Sequence, residues 1–357
     1  MPHVRLMARR AGAVLSRGLS AVAGLALLAA GTASAQEKVN VGALRFVSNG
    51  GLFVAAENGY FKDEGLDVDL RFFDAAQPIA VAVVSGDLDL GATAFTAGLY
   101  NLAGKGGLKV IAAQAREKKG YQGNAVLVSN AAWDKGFRKL EDFPGHSLGI
   151  TQIGSSFHYQ IGQIARAKGF DLNSVSLKPL QSLSNMAAAL KGAQVDAVII
   201  APHIARALIA AGDAKLIGWY SDIDEYQFGA LFASPKAIET RRAAVEKFVR
   251  AYQKGTAAFY EALLARDASG GRAPDPARFE SAAKAVGKYV YPNDPPAQAV
   301  GKVEASTYYV DPQARLDVGD IYKQVEWLKS QGLVDKSVDP KAFIDLSFVQ
   351  GHTNVPQ

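Results

Sequence analysis

The 357-residue chain contains no cysteine. That excludes disulfides, thiolate nucleophiles and thiolate-held metals, and with them the lipid-modified cysteine that can tether an exported protein to a membrane. Histidine is scarce as well. The five residues, at 3, 146, 158, 203 and 352, show neither HxH nor HxxxH spacing, so a zinc site is not expected and no cofactor is indicated. The G-x-S-x-G nucleophile elbow, the Walker A loop and G-x-G-x-x-G are missing, and Ala103-Gly-Lys-Gly-Gly reads only as a turn. Long apolar runs are missing too. The run Ala21–Ala30 is about half of the roughly 20 residues that span a membrane.

What is present describes an ordinary globular protein: 49% of residues are apolar and 20% charged, in a chain long enough for two domains and a sizeable core. Residues 1–35 differ. They carry Arg5, Arg9, Arg10 and Arg17 with no acid, then Ala21–Ala30, then Gly-Thr-Ala-Ser-Ala. A basic start, a short apolar stretch and an A-x-A site predict a secretory signal peptide cleaved after Ala35. The Arg9-Arg10 pair has poor flanking residues for a twin-arginine signal. Taking the four arginines from the 39 basic residues leaves 35 against 34 acidic ones, a net of +1. Nothing polybasic remains to attract nucleic acid or an anionic membrane.

The chain is organised around residues 38–73. Val39–Leu44 reads as a buried strand, Arg45–Gly51 as a polar loop and Leu52–Phe61 as a helix that Gly65 stops. Val68–Phe72 reads as a second strand. Strand–loop–helix–strand is a βαβ unit, with its binding loop at the carboxyl end of the first strand. Within it, FVAAENGYFKDEGLDVDL resembles the opening of the nitrate/sulfonate/taurine-type periplasmic substrate-binding proteins of ABC importers, whose wording is close to YVAxxxGFFKxEGLDVEL. The resemblance covers about residues 38–260. It implies an α/β protein of periplasmic-binding-protein type II: two doubly wound βαβ lobes joined by two hinge strands. It also implies a small-molecule ligand and a membrane permease as partners, with the protein itself a free periplasmic monomer. A related family of the same fold makes the thiamine pyrimidine by consuming its own histidine, but carries a cysteine-rich signature that this chain lacks.

An internal repeat supports two lobes. Ser85-Gly-Asp-Leu-Asp-Leu-Gly-Ala is echoed by Lys191-Gly-Ala-Gln-Val-Asp-Ala-Val. Asp89 and Asp196 lie 107 residues apart, Lys109 and Lys215 lie 106 apart, and Val41 and Leu148 lie 107 apart. The apolar runs 124–129 and 228–234 suit hinge strands. The expected division is 36–125 plus 232–357 for lobe 1 and 126–231 for lobe 2. Arg241–Leu264, Phe279–Tyr289 and Val318–Gly332 read as helices, and Asp267–Pro276 as a surface break.

Asp89 and Asp196 could be a carboxylate pair, but their equivalent places before buried strands favour turn stabilisation over catalysis. Binding is the stronger reading. Ligands sit beyond the carboxyl ends of the strands, beside helix N-termini that favour anions. Four loops qualify, offering Arg45, Phe46, Ser48 and Asn49; Thr93, Phe95 and Thr96; Gln152, Ser155, Ser156 and Phe157; and His203 after Pro202. One of Ser155 and Ser156 is expected to cap the following helix. Arg45 is the formal positive charge of these loops, with Phe46 and Phe95 as walls. The expected ligand is a small organic carboxylate or sulfonate, aromatic ones included, paired with Arg45. The alternatives are an exported enzyme of the same fold or a ligand-sensing protein.

Overall fold

A computed structural model describes residues 36–271 and 275–356. The expected signal peptide, its cleavage site and Arg9-Arg10 lie outside the described residues, as does the middle of the break at 267–276. The apolar run near the start forms β1 (Glu37–Leu44). A short turn leads to α1 (Gly50–Glu57) and α2 (Tyr60–Asp63). Gly65, at φ +76°, reverses the chain in a conformation that costs glycine little. β2 (Leu66–Phe73) then pairs in parallel with β1, completing the expected unit.

α3 (Ala76–Ser85), β3 (Leu90–Ala94), α4 (Ala97–Gly104) and β4 (Lys109–Ala113) follow. The second lobe repeats this order: β7 (Ser147–Ile150), α6 (Ser156–Lys168), β8 (Ser176–Pro179), α7 (Leu183–Lys191), β9 (Ala197–Ile200), α8 (Pro202–Ala210) and β10 (Ala214–Trp219). Between β4 and β7 the chain forms β5 (Ala115–Glu117), β6 (Ala125–Ser129) and the short α5 (Asn130–Asp134). After β10 come β11 (Tyr226–Gln227) and β12 (Gly229–Ala233).

The sheets run β2-β1-β3-β12-β4 and β8-β7-β9-β6-β10. They are the same arrangement twice, since β12 and β6 each run antiparallel to the strand beside them. Even the register repeats: Val41 faces Leu90 and Leu148 faces Ala197. The pattern-based placing of the hinge at 124–129 and 228–234 is corrected here. Those runs are β6 and β12, buried members of the two sheets. The crossings are made by β5 and β11, which pair antiparallel, with β13 (Tyr309–Val310) on the other side of β5. Runs of equal apolarity cannot be told apart as hinge or sheet interior by pattern, because both are buried.

The remaining helices brace the first lobe and the hinge. α9 (Pro235–Leu263) starts six residues before the expected Arg241, capped by Ser234, whose hydroxyl accepts from Ala237 N–H. Arg241 itself leaves helical geometry at φ −138°, where its guanidinium bridges Glu37 at 2.8 Å and Asp89 at 2.9 Å. α10 (Pro276–Val290) and α12 (Val318–Ser330) match expectation, while α11 (Pro296–Glu304) and α13 (Pro340–Phe343) are helices beyond those expected. From α12, Trp327 reaches α6 of the second lobe, meeting the rings of His158 at 5.5 Å and Tyr159 at 5.3 Å.

Candidate functional site

The carboxyl ends of β1, β3 and β7 meet at one narrow cleft. The first lobe contributes Leu44 and Phe46 at the end of β1 and just beyond it, Asp74 to Gln77 after β2, and Ala94 and Thr96 at the end of β3 and just beyond it. The second contributes Thr151, Gln152, Ser155, Ser156 and Phe157, with Leu183 from the start of α7. Phe228, between the hinge and β12, forms the floor. The space is about 30 Å³, enough for one or two waters, so the cleft is shut. Across it, Ala97 N–H at the start of α4 donates to Gly154 O at 2.8 Å. Gly154 has φ +77°, and a Cβ there would stand 2.6 Å from that of Ala97. Only glycine allows this approach.

The loop 151–156 is set by its own hydrogen bonds. Ser155 caps α6, accepting from His158 N–H, and His158 Nδ1 accepts from Gly154 N–H at 3.1 Å. Burial pushes the His158 imidazole down to about 4, so it stays neutral and keeps that acceptor. Ser156, one residue into the helix, is left facing the cavity. The 13-residue α6 directs its free N–H groups and roughly half a positive charge this way.

The expected site residues divide by placement. Phe46, Thr96, Gln152, Ser155, Ser156 and Phe157 line the cavity. His203 stands one layer behind, its ring 5.1 Å from that of Phe46; burial pushes it down to about 4, and its Nδ1 has no hydrogen-bond partner. Ser48 is buried in the turn after Phe46. Asn49 is a turn residue too: Nδ2 donates to Leu44 O at 2.9 Å, and Oδ1 accepts from Gln114 at 2.6 Å. Thr93 is buried within β3.

Two placements depart from expectation. Phe95 is core, stacked on Tyr100 at 5.1 Å, because the strand's alternation turns it away from the cleft. Arg45 lies outside the cavity on the surface. Its guanidinium covers the Phe72 ring at 3.9 Å and donates to Tyr289 O at 3.1 Å. Among the described residues no lysine or arginine lines the cavity, and Asp74 is its one formal charge. Sequence reasoning missed Asp74–Gln77, Leu183 and Phe228. The loop after β2 could have been found, since it too follows the carboxyl end of a parallel strand.

Among the described residues no three His, Asp or Glu are grouped as a metal site requires, and no helix is long and apolar enough to cross a membrane. No curated protein matches the chain in sequence. Solved structures do match in fold. The alkanesulfonate-binding protein SsuA from Xanthomonas axonopodis pv. citri, bound to MOPS, superposes with a TM-score of 0.66 at 19% identity, over 87% of this chain and 98% of that one. The aliphatic sulphonate binding protein SsuA from Escherichia coli gives 0.67 at 16%, over 90% and 97%. The nitrate-binding protein NrtA from Synechocystis PCC 6803 gives 0.67 at 12%, over 85% and 84%. The NMT1/THI5 like family profile matches residues 48–262. The chain therefore belongs to the NMT1/THI5-like family and carries the fold of the ABC-type periplasmic binding proteins.

Proposed function

We propose that this protein is the periplasmic solute-binding component of an ABC importer, and that it captures a small organic anion, a carboxylate or sulfonate, between its two lobes. The observation that carries the proposal is the cavity lining: the N-terminus of α6 with Ser155 and Ser156 offers donors, and Leu44, Phe46, Phe157 and Phe228 offer apolar surface. An amphiphilic ligand needs donors at one end and apolar surface at the other. Without a cation in the wall, its charge is met by helix N–H groups and hydroxyls. That route also favours organic anions over bare inorganic ones, which would leave the aromatic wall unused. The alkanesulfonate-binding neighbour supports the same ligand class.

The two lobes open by rotation about β5 and β11, because a space of about 30 Å³ cannot admit an organic ligand. The expected boundaries at 125/126 and 231/232 move to these crossings, so that β6 stays whole in lobe 2 and β12 in lobe 1. Export follows from the predicted signal, and delivery to a permease from the family resemblance. Thermal shift with a panel of organic carboxylates and sulfonates tests the proposal. Stabilisation by a panel member without turnover is expected. Turnover, or a neutral compound as the ligand released from purified protein by denaturation, would overturn it.

A further inference from the structure

We propose that Gln77 is the specificity-determining residue of the first lobe, donating through Nε2 to an acceptor oxygen of the ligand. This rests on the organic-anion reading above. Gln77 lines the cavity at the second position of α3, whose N-cap, Ala75, has no capping side chain. The Gln77 side chain turns back to α4, where its Oε1 lies 2.6 Å from Thr96 Oγ1.

The chemistry of that contact orients the amide. Thr96 Oγ1 already accepts from Leu99 N–H at 3.0 Å, so its own proton is free to donate. A separation of 2.6 Å suits O–H···O and is shorter than N–H···O bonds usually are. Oε1 therefore faces Thr96, and among the described residues the two N–H groups of Nε2 have no acceptor. Gly98, in the first turn of the same α4, lies against the amide: a Cβ at 98 would collide with both Oε1 and Nε2.

Gln77 is thus held in place by Thr96 at the cap of α4 and by Gly98 within it, its side chain lining the cleft and its Nε2 without a protein acceptor among the described residues. In the open cleft, water satisfies Nε2. On closure around a ligand, water leaves, and an unmatched donor costs binding. A carboxylate, sulfonate or carbonyl oxygen satisfies it, and an ammonium or N–H group does not. The polar ends of the two lobes then divide the work: α6 meets the ligand from one side and Gln77 from the other.

Calorimetric titration of the mature protein with a fixed panel of alkyl and aryl carboxylates and sulfonates tests this. Gln77→Met removes the donor at similar volume. Gln77→Glu keeps the acceptor for Thr96 and replaces only the free donor end. Gly98→Ala leaves glutamine in place and displaces its amide. For anions that wild type binds, affinity should fall at least tenfold in Gln77→Met and further in Gln77→Glu. Gly98→Ala should follow Gln77→Met. Anion affinity in Gln77→Met within threefold of wild type would overturn the role of Gln77 while leaving the anion reading intact. Wild type binding no member of the panel would overturn the anion reading and this assignment with it.

Discussion

Asp89 and Asp196, 107 residues apart, make the same bond in the two lobes. Asp89 Oδ2 accepts from Asn40 N–H at 2.9 Å, and Asp196 Oδ2 accepts from Ser147 N–H at 2.8 Å. Each partner lies 49 residues earlier, Asn40 in the first half of β1 and Ser147 at the start of β7, the strands that lead to the cleft. Each aspartate's own N–H returns the bond to the same residue's carbonyl. Both carboxylates therefore tie strands together at the end of the sheet opposite the cavity. That is turn stabilisation and not an acid–base pair.

The first prediction concerns stability at this clamp. Asp196→Ala removes acceptors for both Ser147 N–H and Ser147 Oγ and should lower stability by about 1–3 kcal/mol, toward the low end because the group is partly exposed. Burial opposes ionisation of Asp196, but hydrogen bonds from Ser147 and the nearby His146 outweigh it and hold the carboxyl below 3.8. Its contribution is present above that value and fades as pH falls through the lower folded one. Denaturation across pH 2–6 checks this. Lost ligand affinity at unchanged stability would instead restore a direct role in the site.

A second prediction has the opposite sign. Glu117 lies buried on the crossing strand β5, with Oε1 accepting from Asn124 N–H and Gln160 Nε2 and with Oε2 unpaired. Burial raises its carboxyl from 4.5 to about 8. A raised acid destabilises the fold progressively from pH 4.5 up to about 8, where the unfolded chain has lost the proton and the native protein has not. Glu117→Gln keeps both bonds without the charge. It should be more stable than wild type by up to about 3 kcal/mol at pH 7, with the two converging below pH 4.5. A gap that does not vary with pH would refute the assignment.

Closure is checked at Gly154. Gly154→Ala puts a Cβ against Ala97 and forces a left-handed residue to carry it, a strain of about 1–2 kcal/mol. The collision penalises the shut cleft, while the strain weighs on the loop itself. Ligand affinity should fall about tenfold, and small-angle scattering should show wild type compacting with saturating ligand more fully than the variant. Equal affinity would mean that the Ala97–Gly154 contact is no part of the bound state.

Arg45 supplies a control. Because its guanidinium rests on Phe72 and not in the cavity, Arg45→Met should leave affinity within threefold and cost roughly 0.5–1 kcal/mol of stability, the range for an exposed cation–π contact. Phe157→Ala, which opens the cavity wall, should weaken binding more than tenfold. Titration of the pair side by side decides between them, and a large loss from Arg45→Met would bring that residue into the site.

The mature N-terminus is expected at Gln36, since the A-x-A site ends at Ala35. Intact-mass measurement of protein from the periplasm checks it. Protein retaining residues 1–35 would count against export by this signal.

The sequence by itself determined the architecture. The βαβ unit at 38–73, the duplicated Asp89 and Asp196 landmarks and the turns at Gly65 and Gly169, at φ +76° and +74°, are all local patterns. A strand's period, a helix stop and a fixed offset between repeats are set by near neighbours along the chain. They also located the cleft, since the ends of parallel strands follow from the topology. Only tertiary structure decided which side chains face it. Arg45 turns outward because Phe72 and the Tyr289 carbonyl, 244 residues away, come together beside it. Phe95 turns inward to Tyr100. Gln77 is oriented by Thr96 and Gly98 on another helix, and Phe228 reaches the floor from the return crossing. A loop residue's direction is settled by packing partners distant in sequence, and no local periodicity records them.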